Sequence, residues 1–157
     1  MKCLTFKQKL LDRAIEHLDH VVAELKDEVK SKLRGEGNTD EGGFSGNSGD
    51  YSARASNNYL SEQAIIRRAE AEQYQSVANI LRGYKIDKEL QKVELLSLIK
   101  TNRGLFFIAQ AVKPLEVDGH RFFMLATDAP IYEIMVGKKE GDSFSFRGID
   151  YTIEELC

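Results

Sequence analysis

The sequence has little that would mark an enzyme, a membrane protein or a nucleic-acid binder. Only two cysteines occur in 157 residues, Cys3 and Cys157, one near each end. That is too few for a disulfide framework, and reduced thiols are expected. Positive charge is not in excess. The 22 lysines and arginines are outnumbered by 25 aspartates and glutamates, a net charge of −3. General nucleic-acid binding, which displaces counterions with a basic surface, is therefore disfavoured. No apolar run approaches the roughly 20 residues needed to span a bilayer. The opening MKCLTFKQKLL has no signal-peptide core, so a cytoplasmic protein without a membrane partner is expected by elimination. Tryptophan is absent, which leaves a deep aromatic pocket for prolyl bonds without a floor. No Ser-His-Asp or Cys-His arrangement is recognisable.

What is present is a long periodic stretch, Phe6 to Leu33. Leu11, Ile15, Leu18, Val22, Leu25 and Val29 alternate in steps of four and three. A stripe of that period suits a helix lying along a second helix rather than on a broad core. At 1.5 Å per residue this helix is roughly 40 Å long. Composition changes abruptly at Arg34 to Asp50, a run holding six of the twelve glycines. Glycine is costly to hold in a helix, so residues 34–50 read as a loop. A loop this long is usually functional or disordered. A second helix is expected to begin between Ser52 and Ser61 and to stop at Gly83. Leu60, Ala64, Ala71, Tyr74, Ala78 and Leu81 form its facing row, with Ile66, Val77 and Ile80 beside it. Alanines opposite larger residues let two helices approach closely. Residues 1–85 thus form an antiparallel coiled-coil hairpin with a glycine-rich, acidic tip.

From about residue 90 the pattern becomes extended. Val93–Ile99, Leu105–Val112 and Arg121–Thr127 read as strands, with a turn at Thr101–Gly104 and an Asp118-Gly119 hairpin signal. Thr127 or Asp128 is expected to cap a short helix that holds Pro130 in its first turn and ends at Gly137. Gly141-Asp142 and Arg147-Gly148 turn the chain into two final strands. The fold class is α+β: a helical hairpin followed by a small antiparallel sheet with one helix packed on it. Phe106-Phe107 and Phe122-Phe123 are adjacent pairs, so their rings must point to opposite faces of a strand. A core plus one exposed aromatic patch follows.

Few constellations carry chemistry. Lys138 and Lys139 after Gly137 lack the spacing of a phosphate loop. No glutamate closes a calcium loop begun at Asn38 or Asp40. His17 and His20 lack a third ligand and read as solvated. The tip acids Glu36, Asp40, Glu41 and Asp50 are different, because crowded carboxylates on a loop repel and a divalent cation relieves that repulsion.

The run from Asp128 to Asp142, DAPIYEIMVGKKEGD, resembles the S-P-[IL]-x-x-x-[LI]-[LI]-G-K-x-x-G-D segment of the Gre family of bacterial transcript-cleavage factors. The closing strand, Tyr151-Thr152-Ile153-Glu154-Glu155-Leu156, is similar to that family's Y-x-I-x-x-[IL]. Domain order and length agree as well. The resemblance implies an FKBP-like domain over residues 90–157 that docks on the RNA polymerase secondary-channel rim through Ala129, Pro130, Ile131, Ile134 and Met135. Ile134 is expected also to pack the short helix on the sheet. It further implies a hairpin entering the channel as a monomer, with tip acids helping to hold a catalytic Mg²⁺ while the polymerase, not this chain, cleaves the 3′ end of backtracked RNA.

The tip departs from the family pattern G-D-[LY]-x-E-N. Gly49-Asp50-Tyr51-Ser52-Ala53-Arg54 keeps the first acid, but Ala53 replaces the second. Asp40, Glu41 and Asp50 are therefore the candidate metal ligands. Two other outcomes stay open: a channel occupant that modulates polymerase without cleavage, and an FKBP-like prolyl isomerase or chaperone module.

Overall fold

The computed structural model describes the backbone of residues 2–37 and 50–157, and the side chains of residues 2–32 and 61–157. The order is α1 (Lys2–Gly37), α2 (Asp50–Gly83), β1 (Leu98–Thr101), β2 (Gly104–Ala109), β3 (Val112–Val117), β4 (His120–Ala126), α3 (Pro130–Met135), β5 (Ser143–Phe146) and β6 (Ile149–Leu156). The fold is α+β, as the patterning indicates. The chain divides into two compact units, His17–Asn79 and Met1–Glu16 with Ile80–Cys157.

In the helical unit, α1 and α2 run antiparallel. Leu18, Val22, Leu25 and Val29 of α1 are buried, as are Ala64, Ala71 and Ala78 of α2. On α1 the buried residues fill two rows of a seven-residue repeat, but on α2 they fill one row of alanines. The seam on α2 is therefore narrow. Tyr74, read in the facing row, and Ile66 and Ile80, read beside it, are exposed, so the row is corrected at those positions, whereas Leu81 is buried as read. Glu28 pairs with Arg67 across the seam at 3.2 Å, and Arg67 also pairs with Glu70 at 3.0 Å.

The second unit is built on one sheet in the order β3-β4-β2-β1-β6-β5. Every pairing is antiparallel except β2 with β4, which is parallel. The sheet is mixed because the β3–β4 hairpin folds back so that β4, not β3, lies beside β2. Leu105 to Val112, read as one strand, ends at Ala109, and a separate edge strand begins at Val112. Pro114 and Lys113 weaken the apolar alternation of β3. Proline cannot donate to a sheet ladder, and it is tolerated here because β3 is an edge. The first strand starts at Leu98, not Val93. Residues 93–97 instead form a tied loop, in which Leu96 has φ +70° and the Glu94 amide donates to Ser97 Oγ at 2.9 Å.

Two hairpins follow the sequence closely. Asp118-Gly119 (φ +51° and +79°) and Arg147-Gly148 (φ +51° and +76°) both have two positive φ angles. That is the type I′ turn, whose twist matches the flanking strands. The paired phenylalanines point to opposite faces as expected. Phe106 and Ile108 face a cluster with Ile99, Phe144, Ile153, Ile131 and Met135. Phe122 faces the other way and meets Phe6 of α1, ring centroids 5.3 Å apart. Phe123 is the exposed member of the four.

Cys3 and Cys157 form a disulfide, which corrects the expectation of two reduced thiols. The end of β6 is held to β1 by paired backbone hydrogen bonds between Leu98 and Cys157, each 3.0 Å. The first turn of α1 lies beside that end, and the two Cα atoms are 6.5 Å apart, within bridging range. Only the tertiary structure brings residues 154 positions apart together.

Lys7 is 1% exposed. Burial lowers its pKa from 10.5 to about 8, against the opposing pull of Glu89 and Glu94. In the unfolded chain Lys7 keeps its proton up to about pH 10.5, whereas the folded chain releases it near pH 8. The unfolded state then binds more protons between those values, so stability rises with pH through that window. The cost of the buried charge, about 3 kcal/mol, applies in full below pH 8. Lys7→Met should be more stable than the parent at pH 7. By pH 10 its advantage should shrink by about 2 kcal/mol, as read from urea unfolding at both pH values. An advantage independent of pH would contradict this.

Candidate functional site

The segment from Ala126 to Asp142 is fixed by its own backbone. Ala129 sits at the helix N-cap with an extended backbone, φ −66° and ψ 136°, and no side-chain cap bond. The residue before proline is driven out of the helical region. Pro130 then starts the helix where its missing N–H costs nothing. The helix consequently opens after the expected caps, Thr127 and Asp128. Tyr132 N donates to Ala129 O at 3.0 Å, and Val136 N to Tyr132 O at 2.8 Å.

The helix stops at Gly137 (φ +80°), a conformation that a side chain would strain. Gly137 N donates to Val93 O and Val93 N to Lys138 O, both at 2.8 Å. These bonds tie the 93–97 loop to the end of α3. Beyond it Asp142 Oδ2 accepts the Lys139 amide at 2.8 Å, and Gly141 N donates to Ile153 O at 2.8 Å. Gly137, Gly141 and Asp142 thus have identifiable structural jobs.

The five predicted docking residues separate into two groups. Ile131 (8% exposed) and Met135 (0%) are buried in the cluster between α3 and the sheet. Ala129 is half-buried and Pro130 exposed. Ile134, expected to pack on the sheet, is 39% exposed. On a helix this short, residues 131 and 135 share the inward face, and 134 falls outside it. Val136 (48% exposed) and Leu95 (37%) were not singled out from the sequence. Val136 had a signal: it is apolar and follows the last helical turn, directly before Gly137. Leu95 had none, because its loop was read as strand. Pro130, Ile134 and Val136 are thus presented on a short, rigid element, and nearby Glu133 and Lys139 are exposed.

Asp40 and Glu41 lie outside the described residues, as does the side chain of Asp50, whose backbone opens α2. Among the described residues no group of three or more histidine, cysteine or acidic side chains is placed to hold a metal ion. His20 is exposed and pairs with Glu24 at 3.1 Å, in line with a solvated surface role. No helix among the described residues is long and apolar enough to cross a membrane.

No protein-family model matches this chain, and no curated protein matches it in sequence. Among solved structures, the crystal structure of the GreA factor homolog 1 protein of Thermus thermophilus is similar over 92% of this chain and 95% of that one. The identity is 8% and the TM-score 0.33. A score that low leaves any functional reading to rest on this chain's own residues.

Proposed function

We propose that this chain binds RNA polymerase at its secondary channel, docking through the sheet-bearing unit and carrying the acids of the 34–50 segment to the polymerase active centre. There Asp40, Glu41 and Asp50 help to hold a Mg²⁺ ion, and the polymerase hydrolyses backtracked RNA. The observation that supports this most is the folding of the 128–142 run. Its glycines and Asp142 fix a short helix, and Pro130, Ile134 and Val136 are left apolar and facing solvent. Exposed apolar groups on a rigid element suit a docking surface. The chemistry asked of the tip is modest. The tip carboxylates would only help to hold the second metal, whose chemistry there is to offset negative charge on the attacked phosphodiester, and the polymerase would supply the remaining ligands.

The test is a stalled, backtracked elongation complex with Mg²⁺, to which the purified chain is added. Shortened RNA is the expected product. Asp50→Ala, or Asp40→Ala combined with Glu41→Ala, should slow cleavage about tenfold or more, the scale on which support of a metal site matters, while polymerase binding persists. Unchanged cleavage in both variants would remove the tip mechanism.

Ala53 favours a second reading, because it stands where the resembled motif has its other acid. The chain would then occupy the channel and modulate initiation without cleavage. Retained binding with RNA of unchanged length identifies that outcome. In a proline-peptide isomerisation assay no rate increase is expected.

A further inference from the structure

The disulfide lies at the wall of a cavity. Cys3 and Cys157, with Phe6, Leu98, Leu105 and Phe122, line a space of about 430 Å³ in the sheet-bearing unit. Both cysteines are half-buried, so the bond is neither sealed in the core nor laid on open surface. Lys100, His120 and Glu155 line the same space, and Lys100 pairs with Glu155 at 3.4 Å. A space of this size is at the scale of small-molecule sites. We propose that Cys3–Cys157 is a thiol-exchange site, at which a small-molecule thiol enters this cavity and exchanges with the protein disulfide.

The chemistry balances without any further reagent. The thiolate of the entering molecule attacks one cysteine sulfur. The Cys3–Cys157 bond breaks, a mixed disulfide forms, and the other cysteine leaves as a thiolate that takes up a proton. A second molecule of the thiol attacks the mixed disulfide, releasing the second cysteine and a small-molecule disulfide. Two thiols are oxidised and one protein disulfide is reduced. Lys100 brings an ammonium to the lining of the same space, and a nearby cation favours thiolate over thiol.

Both half-sites keep an anchor after reduction. Cys157 remains on β1 through its paired backbone bonds with Leu98, and α1 remains against the sheet through Phe6 and Phe122. The sulfurs therefore stay near each other, and exchange is reversible. Because the sulfurs line this space and are half-buried rather than laid on open surface, a thiol carried on a bulky body should reach them more slowly than a small one.

The experiment uses the full chain, oxidised and folded, at fixed pH. 2-Mercaptoethanol is compared with a thiol of matched acidity attached to a large polyethylene glycol, at equal thiolate concentration. Free cysteines are alkylated at intervals and located by mass spectrometry. The small thiol is expected to react about tenfold faster, with a transient species one thiol heavier than the protein. Adding the small-molecule disulfide should restore the Cys3–Cys157 bond. Leu105→Phe, which adds bulk to the cavity lining, should slow the small thiol several-fold. If that variant misfolds, the comparison of the two thiols on the parent chain still decides. Equal rates for both thiols would overturn the proposal. So would reduction that requires urea sufficient to unfold the chain, or native protein whose two cysteines alkylate without any reductant.

Discussion

Cys157→Ser should lower the thermal midpoint of the protein by about 10–15 °C. The disulfide closes a loop spanning 154 residues, and cross-linking such distant positions removes much of the freedom of the unfolded chain. The loop-closure estimate for that length is about 5 kcal/mol. With an unfolding entropy typical of a chain this size, that corresponds to the stated shift. The native contacts at the site change little. Serine is close to cysteine in volume, and the Leu98–Cys157 bonds involve only backbone. The loss therefore acts through the unfolded state. Two consequences separate it from a local packing defect. Cys3→Ser should produce the same shift, and the double variant should be no worse than either single one, because both remove one bond. Reduced parent protein should melt where the variants do. Calorimetry on the oxidised parent and these four species measures all of this, and a shift below about 1 kcal/mol, or additive single effects, would refute the account.

That bond was invisible in the sequence, and the reason is general. Hydrophobic period and turn chemistry are local signals, and they located α1, the stop at Gly83, and the Asp118-Gly119 and Arg147-Gly148 hairpins. The pairing of Cys3 with Cys157 depends on where β6 ends relative to the first turn of α1, which no local pattern encodes. The parallel β2–β4 pair was missed for a related reason. Adjacent strands in sequence usually pair with each other, and here a hairpin inserts its second strand between β2 and β3. The edge strand β3 escaped because Pro114 and Lys113 dilute its alternation. In the candidate site, the resemblance marked one segment but could not sort its residues. Which of five apolar residues face inward depends on how α3 is rotated on the sheet, and that rotation is set by Pro130 opening the helix rather than by Thr127 or Asp128.

The rotation of α3 leads to the second large effect. Met135 is fully buried, in the cluster with Ile99, Phe106 and Ile153. Met135→Ala should destabilise the protein by about 3 kcal/mol, the usual cost of removing a core methionine and leaving the space unfilled. Ile134 is one position earlier and 39% exposed, so Ile134→Ala should change stability by no more than about 0.5 kcal/mol. The order reverses for polymerase binding if α3 is the docking element. Ile134→Ala and Val136→Ala should each weaken the complex by about tenfold, the effect of truncating an apolar contact at the centre of an interface. Met135→Ala, measured well below its melting temperature, should weaken binding less than Ile134→Ala does. Stability is read by urea unfolding, and binding by titration of labelled polymerase with each variant. If Ile134→Ala and Val136→Ala bind as the parent does, α3 does not dock and the proposed surface is wrong, even if Met135→Ala unfolds as expected. Neighbouring residues on one short helix would then carry stability alone, and the attachment to polymerase would have to be sought on another face of the sheet-bearing unit.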